Sequence, residues 1–289
     1  MSIFFNQVFA GLSMASILLM IGLGLAIIYG AMGVINLAHG EFVMLGAYGA
    51  WALQSTFGLS ILASLPIIFI AVALIGLLLE KSIIRRLYSR PLDTILATWG
   101  IGIVIQQLVR LGIGADSKFV KGPELLSGNL YIGDVVMSNY RIFIIFFAIS
   151  MLLITWCLLN KTEFGTKLRA VIQNREISEC YGIDAKKIYS FTFAYGAGLA
   201  GLAGVLLTPL VSTIPTMGTG LVVDSFLTVI VGGVGSIFGT AAAAALVGEG
   251  SAMFSLIMND TLGRIAVLLV IILLIRFKPH GLVPGNIRR

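Results

Sequence analysis

Long apolar runs dominate this chain, and each has the length that a helix needs to cross a bilayer. About twenty helical residues span the ~30 Å hydrocarbon layer. The sequence offers roughly eight or nine such stretches: about 4–29, 34–54, 61–79, 94–114, 140–159, 188–209, the interrupted region 222–257, and 262–275. Hydrophobic side chains fill 58% of the 289 positions and charged ones 11%, with a mean hydropathy of +1.03, which excludes an ordinary soluble domain. In hydrocarbon each backbone N–H and C=O must be bonded inside the protein, so helices are the expected element. The expected fold is all-α: a polytopic membrane protein with about eight or nine transmembrane helices, forming one transmembrane domain over residues 1–289.

The net charge of +6 would fit a nucleic-acid binder, but its distribution argues against one. Lys81, Arg85, Arg86 and Arg90 face a single acid, Asp93, in one short loop, and Arg276, Lys278, Arg288 and Arg289 follow the last span. That is the positive-inside pattern of a membrane protein and places both segments in the cytoplasm. Residues 115–139 carry Lys118 and Lys121 but also Asp116, Glu124 and Asp134, so they are expected outside. Counting from these loops gives about nine crossings, N-terminus out and C-terminus in. The N-terminal MSIFFNQ has neither a basic region nor a cleavage site, so no cleavable signal is expected. Cys157 lies in a span and Cys180 in a cytoplasmic loop, which argues against a disulfide.

Within the second apolar run, GVINLAHGEFVMLGAYGA (residues 33–50) sets Asn36, His39 and Glu41 among glycines. A carboxylate at that depth costs several kcal/mol in lipid, so Glu41 should face protein or a wet cavity. Irregular backbone is tolerated there only on the same terms. One reading is a broken helix lining a solute pathway; the other is a plain interfacial loop with His39 and Glu41 solvated. Gln106 and Gln107, in the fourth run, could tie helices together or meet a polar solute. The sixth run, with Gly196, Gly198, Gly201 and Gly204 between alanines, predicts close helix packing. A second interrupted region carries Asp224 and Ser225, then Gly232, Gly233, Gly235 and Gly239, then Glu249. By the crossing count the two broken segments travel in opposite directions, as an inverted repeat requires. Asn36, His39, Glu41, Gln106, Gln107, Asp224 and Ser225 are the candidate pathway residues.

Between the fifth and sixth runs, residues 160–187 hold Lys161, Lys167, Arg169, Arg175, Lys186 and Lys187 against Glu163, Glu176, Glu179 and Asp184. Inside it, KLRAVIQNREISECYG reads as one short helix with Leu168, Val171 and Ile172 on one face. So short a helix is marginal alone and needs a partner surface. The chain has no G-x-x-x-x-G-K-[ST] loop, no H-E-x-x-H and no G-x-S-x-G, and His39 and His280 are its only histidines. An enzyme, a metal site and a cofactor of its own are therefore not expected. A channel, an ion-coupled carrier and the membrane subunit of an ATP-driven importer remain.

The segment EFGTKLRAVIQN followed by YGID resembles the coupling loop of ABC importer permeases. GVINLAHGEFVMLGAY, LATWGIGIVIQQLVR and DSFLTVIVGGVGSIFGT extend that resemblance to the permeases of branched-chain amino acid and urea or short-chain amide importers, over about residues 5–285. ATWG with QQLVR, the NKT before the coupling helix, and VDSF look most similar to the urea-transport permease. The resemblance implies a membrane permease moving urea or a short-chain amide, with a branched-chain amino acid as the alternative and a passive channel as the reading from another class. It implies two ATPase subunits that bind ATP, a second permease, an extracytoplasmic solute-binding protein and the bacterial inner membrane. Glu163, Gly165, Arg169, Ala170, Asn174 and Gly182 are the positions it assigns to ATPase coupling. Where relatives read N-P/R-x-x-A-A, this chain has NREISEC, with two additional acids.

Overall fold

The computed structural model describes residues 2–283 except 89, 134 and 280, so Asp134, His280, Arg288 and Arg289 lie outside the described residues. Its helices run in the order α1 (Ser2–Met32), α2 (His39–Phe57), α3 (Ile61–Ser82), α4 (Pro91–Ile113), α5 (Asn139–Lys161), α6 (Glu163–Gln173), α7 (Arg175–Cys180), α8 (Ala185–Leu207), α9 (Met217–Gly232), α10 (Ile237–Ile257) and α11 (Asp260–Phe277). Between α4 and α5 lies an antiparallel hairpin, β1 (Asn129–Ile132) and β2 (Val135–Ser138), which corrects the all-α expectation. Gly133, at φ 62°, makes its turn. Leu130, Tyr131 and Val136 leave the hairpin largely exposed, so no burial periodicity marked it in the sequence.

Six described helices are long and apolar enough to cross a membrane: α1 from Phe4, α3, α4, α5, α8 and α10; α9 is a shorter apolar helix. The expected eight or nine included α2, whose first turn is polar, and the stretch that forms α11. Local chemistry sets the ends. Ser60, Ser236 and Asn259 cap α3, α10 and α11 by accepting bonds from Ala63, Gly239 and Leu262 N–H. Pro91 opens α4, where its missing N–H costs nothing.

Buried α1 and α8 form the centre, and α4 and α5 expose most of their surface. α1 packs on α8, α10 and α9, while α8 packs on α3 and α2. The pattern is unchanged when α1, α2 and α3 are exchanged with α8, α9 and α10. Small residues permit these approaches, as expected for helices that gain nothing by hiding apolar surface from lipid. A Cβ on Gly196 would come 2.7 Å from the Gly24 carbonyl oxygen, and one on Gly46 or Gly204 would strike the Gly201 or Val43 backbone.

The two ends of the bundle are distinct. At the hairpin end, Asn6 of α1 accepts from Val136 N–H at 3.1 Å, and Gln54 of α2 exchanges two bonds with the Lys121 backbone. The elbow end carries α6 and α7. There the chain after α11 returns beneath α9, where Leu282 and Val283 N–H donate to the Val231 and Gly232 carbonyls.

Candidate substrate pathway and coupling elbow

α1 ends at Gly33, whose φ of 67° turns the chain back on itself. After residues 33–38 the next helix starts far from the elbow end: His39 lies beside Ile21 of α1, and Gly40 abuts Gly218 in the first turn of α9. α2 therefore begins at mid-bundle and runs to the hairpin end, which makes 33–38 a genuine break. Its counterpart is not where the glycines placed it. The break in the second half is 208–216, ahead of α9; Gly233–Ser236 is a turn at the elbow end, where Gly235 meets Gly30 of α1.

At this meeting of α2 and α9, Asn36 and His39 are fully buried and Glu41 is 3% exposed. Asn36 Oδ1 accepts from Ala38 N–H at 3.1 Å, and the Thr98 hydroxyl oxygen of α4 accepts from Leu37 N–H at 3.1 Å. His39 Nε2 sits 3.1 Å from the Ile21 carbonyl oxygen and therefore carries the proton. Gln106 Nε2 donates to Glu41 Oε1 at 2.8 Å and to the Thr219 hydroxyl of α9 at 3.1 Å. Asn36 Nδ2, His39 Nδ1, Glu41 Oε2 and the Tyr48 hydroxyl are buried without a partner among the described residues. Four orphaned polar groups so close in sequence form an unusual concentration, because buried polar atoms are nearly always bonded.

The other candidates sit apart from this group. Asp224 pairs with Arg264 of α11, which satisfies its carboxylate at the edge of the bundle. Ser225 is buried and donates to the Leu221 carbonyl of its own helix at 2.6 Å. Gln107, one residue from Gln106, is exposed. Thr98 and Thr219 belong to the constellation but were not singled out in the sequence, since a lone threonine in an apolar helix carries no distinguishing spacing.

The elbow consists of two helices rather than one. Thr162 caps α6 through Gly165 N–H; Asn174 ends α6 and caps α7, accepting from Ile177 N–H at 3.0 Å. Asp184 then caps α8 through Lys187 N–H, a bond that holds its carboxyl below the usual carboxylate range. Most positions assigned to ATPase contact prove to be parts of the joint. A Cβ on Gly165 would strike the Leu159 backbone. Arg169 donates to the Leu159 carbonyl and so closes the free end of α5, Gly182 makes the turn after α7 at φ 81°, and Ala170 is half-buried. Glu163 is exposed and pairs with Lys167. Glu163, Arg169, Asn174 and Gly182 all reach the outward surface, which they share with Ile177 (55% exposed), Tyr181 (84% exposed), Glu176 and Cys180.

Beneath the elbow lies a second buried carboxylate, which the sequence reading passed over. Glu80, at the end of α3, is fully buried; it accepts from Arg85 Nε and Nη2, both at 3.1 Å, from the Ser190 hydroxyl of α8 at 2.7 Å, and from the Tyr88 hydroxyl. Burial first and Glu80 second push the Tyr88 phenol up, and the bond to Glu80 raises the Arg85 guanidinium. Val171 of α6 packs with Tyr189 and Ala185 against Tyr88 and against Met32, the last residue of α1 before the break. One run of side-chain contacts thus leads from the elbow to the last turn of α1, where the break begins.

A family model described as "Branched-chain amino acid transport system / permease component" matches residues 7–276. The chain belongs to that family. Its relatives include the high-affinity branched-chain amino acid transport system permease protein BraD of Pseudomonas aeruginosa, 28% identical over 96% of this chain and 95% of BraD. LivH of Escherichia coli K12, named in the same way, is 26% identical over 96% of this chain and 95% of its own. LivM of the same organism is 24% identical over 94% of this chain and 69% of its own. No solved structure matches. The permease is thus a multi-pass transport protein, and among these relatives the names favour the branched-chain amino acid alternative over urea or an amide.

Proposed function

We propose that this permease is the membrane subunit of an ATP-driven importer for branched-chain amino acids in the bacterial cytoplasmic membrane. The observation that carries the reading is the family match over nearly the whole chain, with relatives of the same length named for that cargo. The broken-helix meeting point of α2 and α9 supports a pathway there, with Asn36, His39, Glu41 and Gln106 as polar lining. We place the elbow end in the cytoplasm, where basic loops belong, and the hairpin end toward the solute-binding protein. The exchange symmetry of the packing supports an inverted repeat, α1–α3 against α8–α10.

Two ATPase subunits would dock on the elbow, with Ile177 and Tyr181 as the apolar knob. Force applied there would reach the break through Val171, Tyr88 and Met32. A mixed permease pair fits the two differently named E. coli relatives, LivH and LivM.

Reconstitution tests the proposal. Liposomes holding this permease, its partner permease and the ATPases should accumulate labelled leucine only with ATP and a loaded binding protein. Leucine entry through this chain alone would make it a passive channel instead. Uptake of urea with no uptake of leucine would overturn the cargo.

A further inference from the structure

Glu41 Oε1 and the Thr219 hydroxyl share one donor, the Gln106 amide nitrogen, and Glu41 Oε2 has none among the described residues. From this geometry we infer that these three oxygens form the seat for the α-ammonium group of the transported amino acid, and that Gln106 fills the seat when it is empty. The inference rests on the proposed cargo and deepens it.

An ammonium group offers three N–H donors and no acceptor, and the seat offers three acceptor oxygens, two of a carboxylate and one of a hydroxyl whose own O–H can turn away. An amide nitrogen already bridging two of them shows that an N–H donor fits at bonding distance. A carboxylate 3% exposed with one oxygen unpartnered is poorly compensated by a neutral amide, and a bound cation would complete it. Access is consistent with exchange. Gln106 is half-buried, Thr219 and Gly220 are exposed, and α4 is among the least buried spans, so the amide can swing out without repacking a core. The first turns of α2 and α9 meet beside the seat at Gly40 and Gly218, and such half-helix N-termini favour the carboxylate end of a zwitterion. A neutral solute could donate to these oxygens but would bring no charge to a buried carboxylate.

The test uses the complete reconstituted transporter with leucine-loaded binding protein in excess. Glu41→Gln keeps shape and loses charge; leucine uptake should fall about ten- to hundredfold, while the complex assembles and its melting temperature does not fall. Thr219→Val should lower uptake by a smaller factor, and Gln106→Ala, which removes the internal competitor, should raise leucine binding to the solubilised complex. Wild-type uptake in Glu41→Gln overturns the seat and leaves the cargo standing. Loss of uptake in Gln106→Ala equal to that in Glu41→Gln also overturns it, by making their bond a helix tie. If Glu41→Gln does not assemble, Thr219→Val decides: unchanged uptake sinks the inference. A wild-type complex that takes up no branched-chain amino acid removes the proposed function, and the seat with it.

Discussion

Glu41 and Glu80 are both carboxylates buried in the same bundle, and their surroundings could hardly differ more. Glu80 is saturated: a bidentate arginine and two hydroxyls fill its oxygens. Glu41 has one amide on one oxygen and nothing described on the other. A saturated buried ion is a fastener, because every interaction it can make is already made within the protein. An unsaturated one is held in a state of need that only a ligand, a proton or a movement can answer. Their places agree with this. Glu80 pins the loop after α3 to the start of α8, where the elbow must not slip, and Glu41 lies where two broken helices meet.

Substitutions that break the contrast can be ranked. Glu80→Ala should cost most, about 3–5 kcal/mol, because it takes the partner of Arg85 and the acceptor of the Tyr88 and Ser190 hydroxyls together; the expected readout is loss of assembled protein from membranes. Normal yield would make Glu80 dispensable and the contrast empty. Gly204→Val comes next, at about 1–3 kcal/mol or more, since its Cβ would strike the Val43 backbone and part α8 from α2; a lowered melting temperature checks it. Tyr88→Phe removes one bond to Glu80 and should cost about 1 kcal/mol, visible as a small drop in melting temperature with transport retained. Glu41→Gln sharpens the comparison from the other side. It should leave stability within about 0.5 kcal/mol or raise it, since an incompletely paired buried charge is removed, while uptake is lost. A large destabilisation there would make Glu41 a second Glu80.

Much of this was legible beforehand. GVINLAHGE announced a broken helix because three polar groups cannot sit in hydrocarbon without an internal reason, and the glycine and alanine run of α8 announced the close helix packing found there. The other break is not marked: residues 208–216 contain no charge, and the conspicuous glycines at 232–239 form the turn between α9 and α10 and the helix ends beside it. Gly165 and Arg169 stood out through resemblance, and the structure adds a contact of each with Leu159 of α5 that no spacing announces. Glu80 stayed hidden because it borders a basic loop, where a solvated acid is ordinary.

The sequence by itself determined that this chain crosses membranes and that the stretch after its first span is broken, because apolar length and polar side chains set within it are local properties. Which carboxylate is satisfied and which is left wanting was decided only by the tertiary structure. That depends on which hydroxyl, guanidinium or amide a distant helix brings within 3 Å, as Ser190 reaches Glu80 and Gln106 reaches Glu41. No local property of the chain encodes such a meeting.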